Sequence, residues 1–253
     1  MKKIILLLSA AVVLIACSKV GKDEYIITGT ATGIENGKTI ILETQDESGM
    51  GLLAKDTVKV ENGKFEMKGK ITEPAFYMIQ LEGAQAKIPL ILENGEVKIT
   101  IDKDSIQKSK VTGTYNNDEY TSFVAETTKI QKKLMDFQNK NMQAMNAAQQ
   151  SKDTVVINGL MKEFNKLQEE VSVTSKAKYV TYAETHPKSF ISALIIQGML
   201  NDPTADVAKS EKLYNSLEES LKNTKPGKAI KAKLTELKAP TGVGASAPTT
   251  DGK

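Results

Sequence analysis

The hydrophobic pattern of this chain changes period once, near Asn116, and that single change limits its folds more than any other feature. Up to Asn116 apolar residues alternate in twos, as strands require. After it they recur at three and four, as on one face of a helix. A run of strands followed by a run of helices predicts an α+β architecture rather than an alternating one.

The strand half reads as Glu24 to Thr32, Lys38 to Thr44, Thr57 to Val60, Lys64 to Ile71, Phe76 to Glu82, Ile88 to Leu92, Glu96 to Ile101 and Lys110 to Tyr115, rich in β-branched and aromatic residues. Three joints repeat one chemistry: Glu35-Asn36-Gly37, Glu61-Asn62-Gly63 and Glu93-Asn94-Gly95. Asn-Gly supplies the two positive-φ positions of a type I′ hairpin turn. The second joint, between Thr57-Val60 and Lys64-Ile71, is the firmest hairpin expectation. Short antiparallel strands at this spacing predict a small β-sandwich or partial barrel over 24–115.

Residues 116–238 read as an α-helical domain with a long helical hairpin. Asn116 and Glu119 have the spacing of a capping box. Tyr120, Phe123, Thr127, Ile130, Leu134, Phe137, Asn141, Met145 and Ala148 form one stripe. Ile157, Leu160, Phe164, Leu167, Val171 and Thr174 form a second, after a break at Ser151-Lys152-Asp153. The pattern predicts two antiparallel helices. His186-Pro187 ends the second. Ser189 to Leu200 is nearly all apolar and is expected to be buried under the others. Asp202-Pro203 is read as N-cap and first residue of the next helix, with Val207 to Leu221 along it, and Pro226 opens the last. Residues 239–253, rich in Pro, Gly, Thr, Ala and Ser, read as a flexible tail.

At the other end, Leu14-Ile15-Ala16-Cys17 closes an apolar run, Ile4 to Val13, behind Lys2 and Lys3. A basic start and about ten apolar residues match a signal peptide and are too short to span a bilayer. An apolar residue, two small or apolar residues and a cysteine make a lipobox. The expectation is cleavage between Ala16 and Cys17, with lipid attached to the Cys17 sulfur. Residues 1–16 then leave as signal peptide, and 17–23 tether the body to a membrane. Ser18, rather than Asp, after the cysteine points to the outer membrane, on its periplasmic face or at the cell surface.

Composition narrows function by exclusion. Of 34 basic residues, Lys2 and Lys3 leave with the signal, so 32 face 31 acidic ones. A body so nearly neutral has no electrostatic footprint for nucleic acid. Cys17 is the sole cysteine, which excludes an intrachain disulfide and a Cys-x-x-Cys pair. One histidine, His186, at a helix end before proline, reads as a capping or surface residue. Asp102-Lys103-Asp104 lacks the remaining positions of a calcium loop, and Gly49-Met50-Gly51 lacks phosphate-fingerprint spacing. Asp118-Glu119, Glu169-Glu170 and Glu218-Glu219 read as solvated helix faces. No catalytic, metal or cofactor residues are expected, and the expectation is not an enzyme. A cleft between sheet and helices is the place left for a ligand.

The order of several segments resembles a known family. They are Tyr25-Ile26-Ile27-Thr28-Gly29-Thr30, Asp56-Thr57-Val58, Asn62 to Lys70, Glu73-Pro74 and Leu92-Glu93-Asn94-Gly95-Glu96. Together they resemble a domain of unknown function of the DUF4369 type, found at the N-terminus of bacterial lipoproteins that usually continue into a thioredoxin-like domain. Gly113 to Tyr120 and His186 to Ala193 resemble that family's passage into helices and its helical signature, so the likeness runs from Tyr25 to about Leu237. Val243-Gly244-Ala245-Ser246-Ala247-Pro248 and Asp251-Gly252-Lys253 resemble the opening of the thioredoxin-like domain, whose redox site is absent here. The resemblance implies a lipid-anchored, non-catalytic accessory or binding module. Its alternatives are a truncated thiol-disulfide oxidoreductase or a partner acting in trans with a separate thioredoxin-like protein.

Overall fold

A computed structural model describes residues 20–46 and 51–239. The sites at Ala16 and Cys17, the tail from 240 on and most of Gly49-Met50-Gly51 lie outside the described residues. Among these, eight strands, with a short 3-10 turn (Ile106–Lys108) before the last, are followed by six α-helices. The strands are β1 (Glu24–Thr30), β2 (Thr39–Gln45), β3 (Leu52–Lys59), β4 (Lys64–Lys70), β5 (Ala75–Leu81), β6 (Ile88–Leu92), β7 (Gly95–Thr100) and β8 (Lys110–Thr112). They form two four-stranded sheets, β4-β1-β7-β8 and β3-β2-β5-β6, whose inner faces enclose Ile27, Ile40, Leu42, Met67, Ile79, Leu90 and Val97.

Two glycines of β1 and β4 exist for the sake of aromatic rings across the ladder. Gly29 pairs with Phe65, and Tyr25 with Gly69. A Cβ on Gly29 would lie 1.9 Å from the Phe65 ring, and one on Gly69 2.6 Å from the Tyr25 hydroxyl. Each ring therefore lies flat over a residue with no side chain.

The sheets are not wholly antiparallel: β1 and β7 run parallel. The reason lies in the three Asn-Gly joints. Each connects strands of different sheets, β1 to β2, β3 to β4 and β6 to β7. The expected hairpin at Asn62-Gly63 is thus a correction. Both residues have positive φ, 51° and 68°, as the type I′ turn demands. Yet only Glu61 and Lys64 bridge, and the strands then part. At the other two joints only Gly37 and Gly95 have positive φ. Joints one and two lie together, with Asn62 N–H donating to Asn36 Oδ1 at 2.8 Å. The chain keeps crossing between sheets, so β7 enters beside β1 pointing the same way. Side-by-side folding within a sheet occurs at β2/β3, β5/β6 and β7/β8.

The helices are α1 (Tyr115–Ser151), α2 (Thr154–Thr185), α3 (Phe190–Leu200), α4 (Val207–Ser216), α5 (Glu219–Lys222) and α6 (Lys225–Lys238). The hairpin of α1 and α2 turns at the expected break. Lys152 takes the left-handed conformation, and Asp153 caps α2 by accepting from Val155 and Val156 N–H. On α2 the seam passes through buried Val171 and Ser175; Thr174 is exposed and bonds its own helix at Glu170 O. Helix α3 is the buried one, and a second core forms around its Phe190, Ala193 and Ile196 with Ile91 of β6, Leu213 and Ile230. The next helix begins after Asp206, which caps Lys209 N–H. Asp202 instead closes a turn onto Thr204, because Pro203 is followed by two more residues before any helical bond forms. Leu217 to Leu221 leave α4 for the short α5.

Candidate functional site

The chemistry-bearing side chains gather where the sandwich meets the helices. β6 makes this meeting possible because it is buried on both faces: Ile88, Leu90 and Leu92 enter the sandwich core, and Ile91 enters the helical one. A strand at a sheet edge leaves backbone groups unpaired. Here Asn117 takes the place of a neighbouring strand. Its Oδ1 accepts from Ile91 N–H at 2.9 Å, and its Nδ2 donates to Ile91 O at 2.7 Å. Pro89, two residues earlier on the same edge, has no N–H to leave open.

Asn116 ties a third element to the same point. Its Oδ1 accepts the Phe190 N–H of α3 at 2.8 Å, while its own N–H donates to Glu93 Oε1 at 2.9 Å and its Nδ2 to Glu93 Oε2. Glu93 thus places a carboxylate at the N-terminus of α1, where backbone N–H groups and the helix dipole favour negative charge. Asn94 donates to Gly21 O and Glu24 O, each at 2.7 Å, pinning the start of β1. The capping box expected from Asn116 and Glu119 does not form. Thr114 is the N-cap but its side chain caps no backbone N–H; its Oγ1 accepts from Asn117 Nδ2 at 2.8 Å, and Asn116 and Asn117 are buried.

Glu119 turns inward as well. Tyr182 donates its hydroxyl to Glu119 Oε2 at 2.7 Å and lies 3.0 Å from Ser189 Oγ. Ser189 in turn caps α3 by accepting the Ile191 N–H. The His186 ring stacks on Tyr182, centroids 4.2 Å apart and planes 5° from parallel, with its Nε2 3.6 Å from Glu119 Oε2. Burial first, and the Glu119 carboxylate after it, push the Tyr182 phenol well above its ordinary value. Glu126 is held below the usual carboxylate range by its bond to Lys178. Glu119, Glu126, Lys178, Tyr182 and His186 line a recess of about 170 Å³. So His186 does end α2 as expected, while Asp118-Glu119 is not simply a solvated face. Of the other acidic pairs, Glu170 meets Lys133 and Glu219 meets Lys222 at the surface.

Sequence reasoning missed Glu93, Asn116, Asn117, Tyr182 and Ser189 as one group. The signal that points to them is a polar pair, Asn116-Asn117, at the start of an otherwise regular apolar stripe. Where the sheet meets the helices, Phe76 of β5 and Tyr120 of α1 meet edge to face at 6.0 Å. A concavity of about 1100 Å³ lies on the open surface of the sandwich and includes Thr28, Glu66, Glu96 and Lys98. Among the described residues no group of three or more His, Cys, Asp or Glu is placed to hold a metal ion, and no helix is long and apolar enough to cross a membrane.

These features define a mixed two-sheet sandwich with a helical half welded to one sheet edge. Residues 25–120 match the family model described as Domain of unknown function (DUF4369). The match bears out the resemblance for the sandwich and the first turns of α1, so it takes in Glu93, Asn116, Asn117 and Glu119. It stops short of the helical segments to which the likeness was extended. No curated protein and no solved structure matches the chain.

Proposed function

We propose that the chain is a lipid-anchored protein of the cell envelope, acting as a non-catalytic accessory or binding module. It is of the kind that precedes the thioredoxin-like domain of membrane-tethered thiol-disulfide oxidoreductases. The observation that carries this reading is what the junction groups are engaged in. Asn116 and Asn117 satisfy the backbone of β6 and α3, Glu93 caps α1, and Tyr182 is held between Glu119 and Ser189. Groups committed to backbone and to one another join parts of a body, whereas a nucleophile needs a base free to act on it. The match over residues 25–120 supports the kinship.

Anchoring is drawn from Leu14-Ile15-Ala16-Cys17: cleavage between Ala16 and Cys17, an acyl chain on Cys17, and an outer-membrane address. Cys17 is the only cysteine of these 253 residues, and with its sulfur acylated they hold no thiol for electron exchange. The partner we propose is a thioredoxin-like oxidoreductase acting in trans. Metabolic labelling with radioactive palmitate tests the anchor: the full chain takes up label and Cys17→Ala does not. Wild-type chain that stays unlabelled in an exporting bacterium refutes it. An insulin-reduction assay tests the rest, and turnover by the purified chain alone ends the non-catalytic reading.

A further inference from the structure

The α1/α2 hairpin has two unlike flanks. Along its middle the seam residues Ile130, Leu134, Phe137, Leu160, Phe164 and Leu167 are only half-buried, because each helix covers the other from one side alone. One flank is laced with charge: Lys133 bonds Glu170 at 2.6 Å, and Lys178 pairs with Glu126. The opposite flank, one residue further round each helix, carries no charge from Val124 to Asn146 on α1 or from Thr154 to Ser172 on α2. At its centre Met135, Met142 and Met161 are 53%, 54% and 46% exposed. A groove of about 430 Å³ opens there between Phe137, Met142, Leu160 and Phe164.

We propose that this uncharged flank is where a second copy of the chain docks, flank on flank, to complete a four-helix bundle. A two-fold interface must be complementary to itself. In a chain of which 26% of residues are charged, a strip without charge is the surface on which two identical faces meet with no like charges opposed. Its residue types suit that contact. Gln and Asn carboxamides both donate and accept, so a copy pairs with itself, and methionines reshape to fill gaps between ridges. The extent is adequate. At about 1.5 Å rise per residue the strip is about 33 Å long on α1, Val124 to Asn146, and about 27 Å long on α2, Thr154 to Ser172. At about 10 Å of width per helix the pair buries about 1,200 Å², at the lower limit of specific interfaces. A lipid surface fits worse, because the border of the strip carries both signs, Lys132 bonded to Asp136 on α1, and Lys162 and Glu169 on α2, whereas membrane-seeking faces are rimmed with Lys and Arg. This inference stands apart from the lipid anchor and from any redox partner.

Sedimentation velocity of the full chain in detergent tests it, with two double variants, Met135→Lys with Met142→Lys and Met135→Glu with Met142→Glu. Wild type sediments as a dimer. Each variant alone dissociates at least about tenfold more readily, since like charges now face each other, while its helical circular dichroism is unchanged. A one-to-one mixture of the two variants recovers the dimer, which a folding defect would not do. Wild type that stays monomeric at about 100 μM, well above the dissociation constant of an ordinary specific dimer, overturns the proposal and leaves the flank to residues 240–253 or to a different protein. Variants that dimerise like wild type, or a mixture that stays monomeric, overturn it equally.

Discussion

The two ends of α1 are built on opposite principles. At its start, two carboxamides are buried and bound to backbone of the sheet and of α3. Some twenty-five residues on, Asn141 lies on the same helix's seam, half-buried, and donates only to Phe137 O one turn back. One Asn closes a contact between distant parts of the chain; the other satisfies itself locally. The same residue type on the same helix thus fixes the fold at one end and merely tolerates it at the other, and the difference is what each amide would leave unpaired.

The sharpest way to break that contrast is to remove both amides. Asn117→Ala strands a buried N–H and a buried C=O of Ile91, and we expect a loss of about 3 kcal/mol in chemical denaturation. Asn141→Ala is expected to stay within about 0.5 kcal/mol of wild type. Equal effects would remove the distinction.

Glycines sharpen it next. Gly29→Ala drives a methyl into the Phe65 ring and is expected to cost about 2 kcal/mol by overpacking. Gly159→Ala, in α2 with open space around it, is expected to stabilise by about 0.5–1 kcal/mol, since Gly carries that penalty inside a helix. Thermal melts of the two variants should move in opposite directions.

Tyr182→Phe is a smaller change, about 1 kcal/mol at neutral pH for the lost hydrogen bonds. Its sign with pH is fixed. A phenol whose folded-state value is raised contributes stability that is complete below the ordinary value near 10 and is lost as pH climbs towards the folded one. Above about pH 10 wild type is therefore expected to lose stability faster than Tyr182→Phe in pH-dependent denaturation, and parallel curves would contradict the assignment. Last, Lys133→Ala is expected to leave the melting temperature unchanged, because its ion pair with Glu170 is exposed on both sides.

Much of the scaffold was legible beforehand because its signals are local. Period two and period three-four mark strands and helices wherever they occur, and Ser151-Lys152-Asp153 states its own turn. The polar weld was harder to see. Asn117 finds Ile91 26 residues away, and Asn116 finds Phe190 74 away. Within a helix start, an Asn that caps and an Asn that crosses to another element look alike.

The amino-acid order alone determined the class of fold: strands, then a helical hairpin, then a buried helix, because burial patterning repeats within each element. It also marked Asn62-Gly63 as a turn, where both residues take positive φ, although at Asn36-Gly37 and Asn94-Gly95 only the glycine does. Only the tertiary structure decided what such a joint connects. The dihedrals that close a hairpin also carry a strand from one sheet to the other. After this joint β4 pairs along its whole length with β1, more than thirty residues back, and not with β3 beside it in sequence, a choice made by non-local pairing that no local pattern encodes.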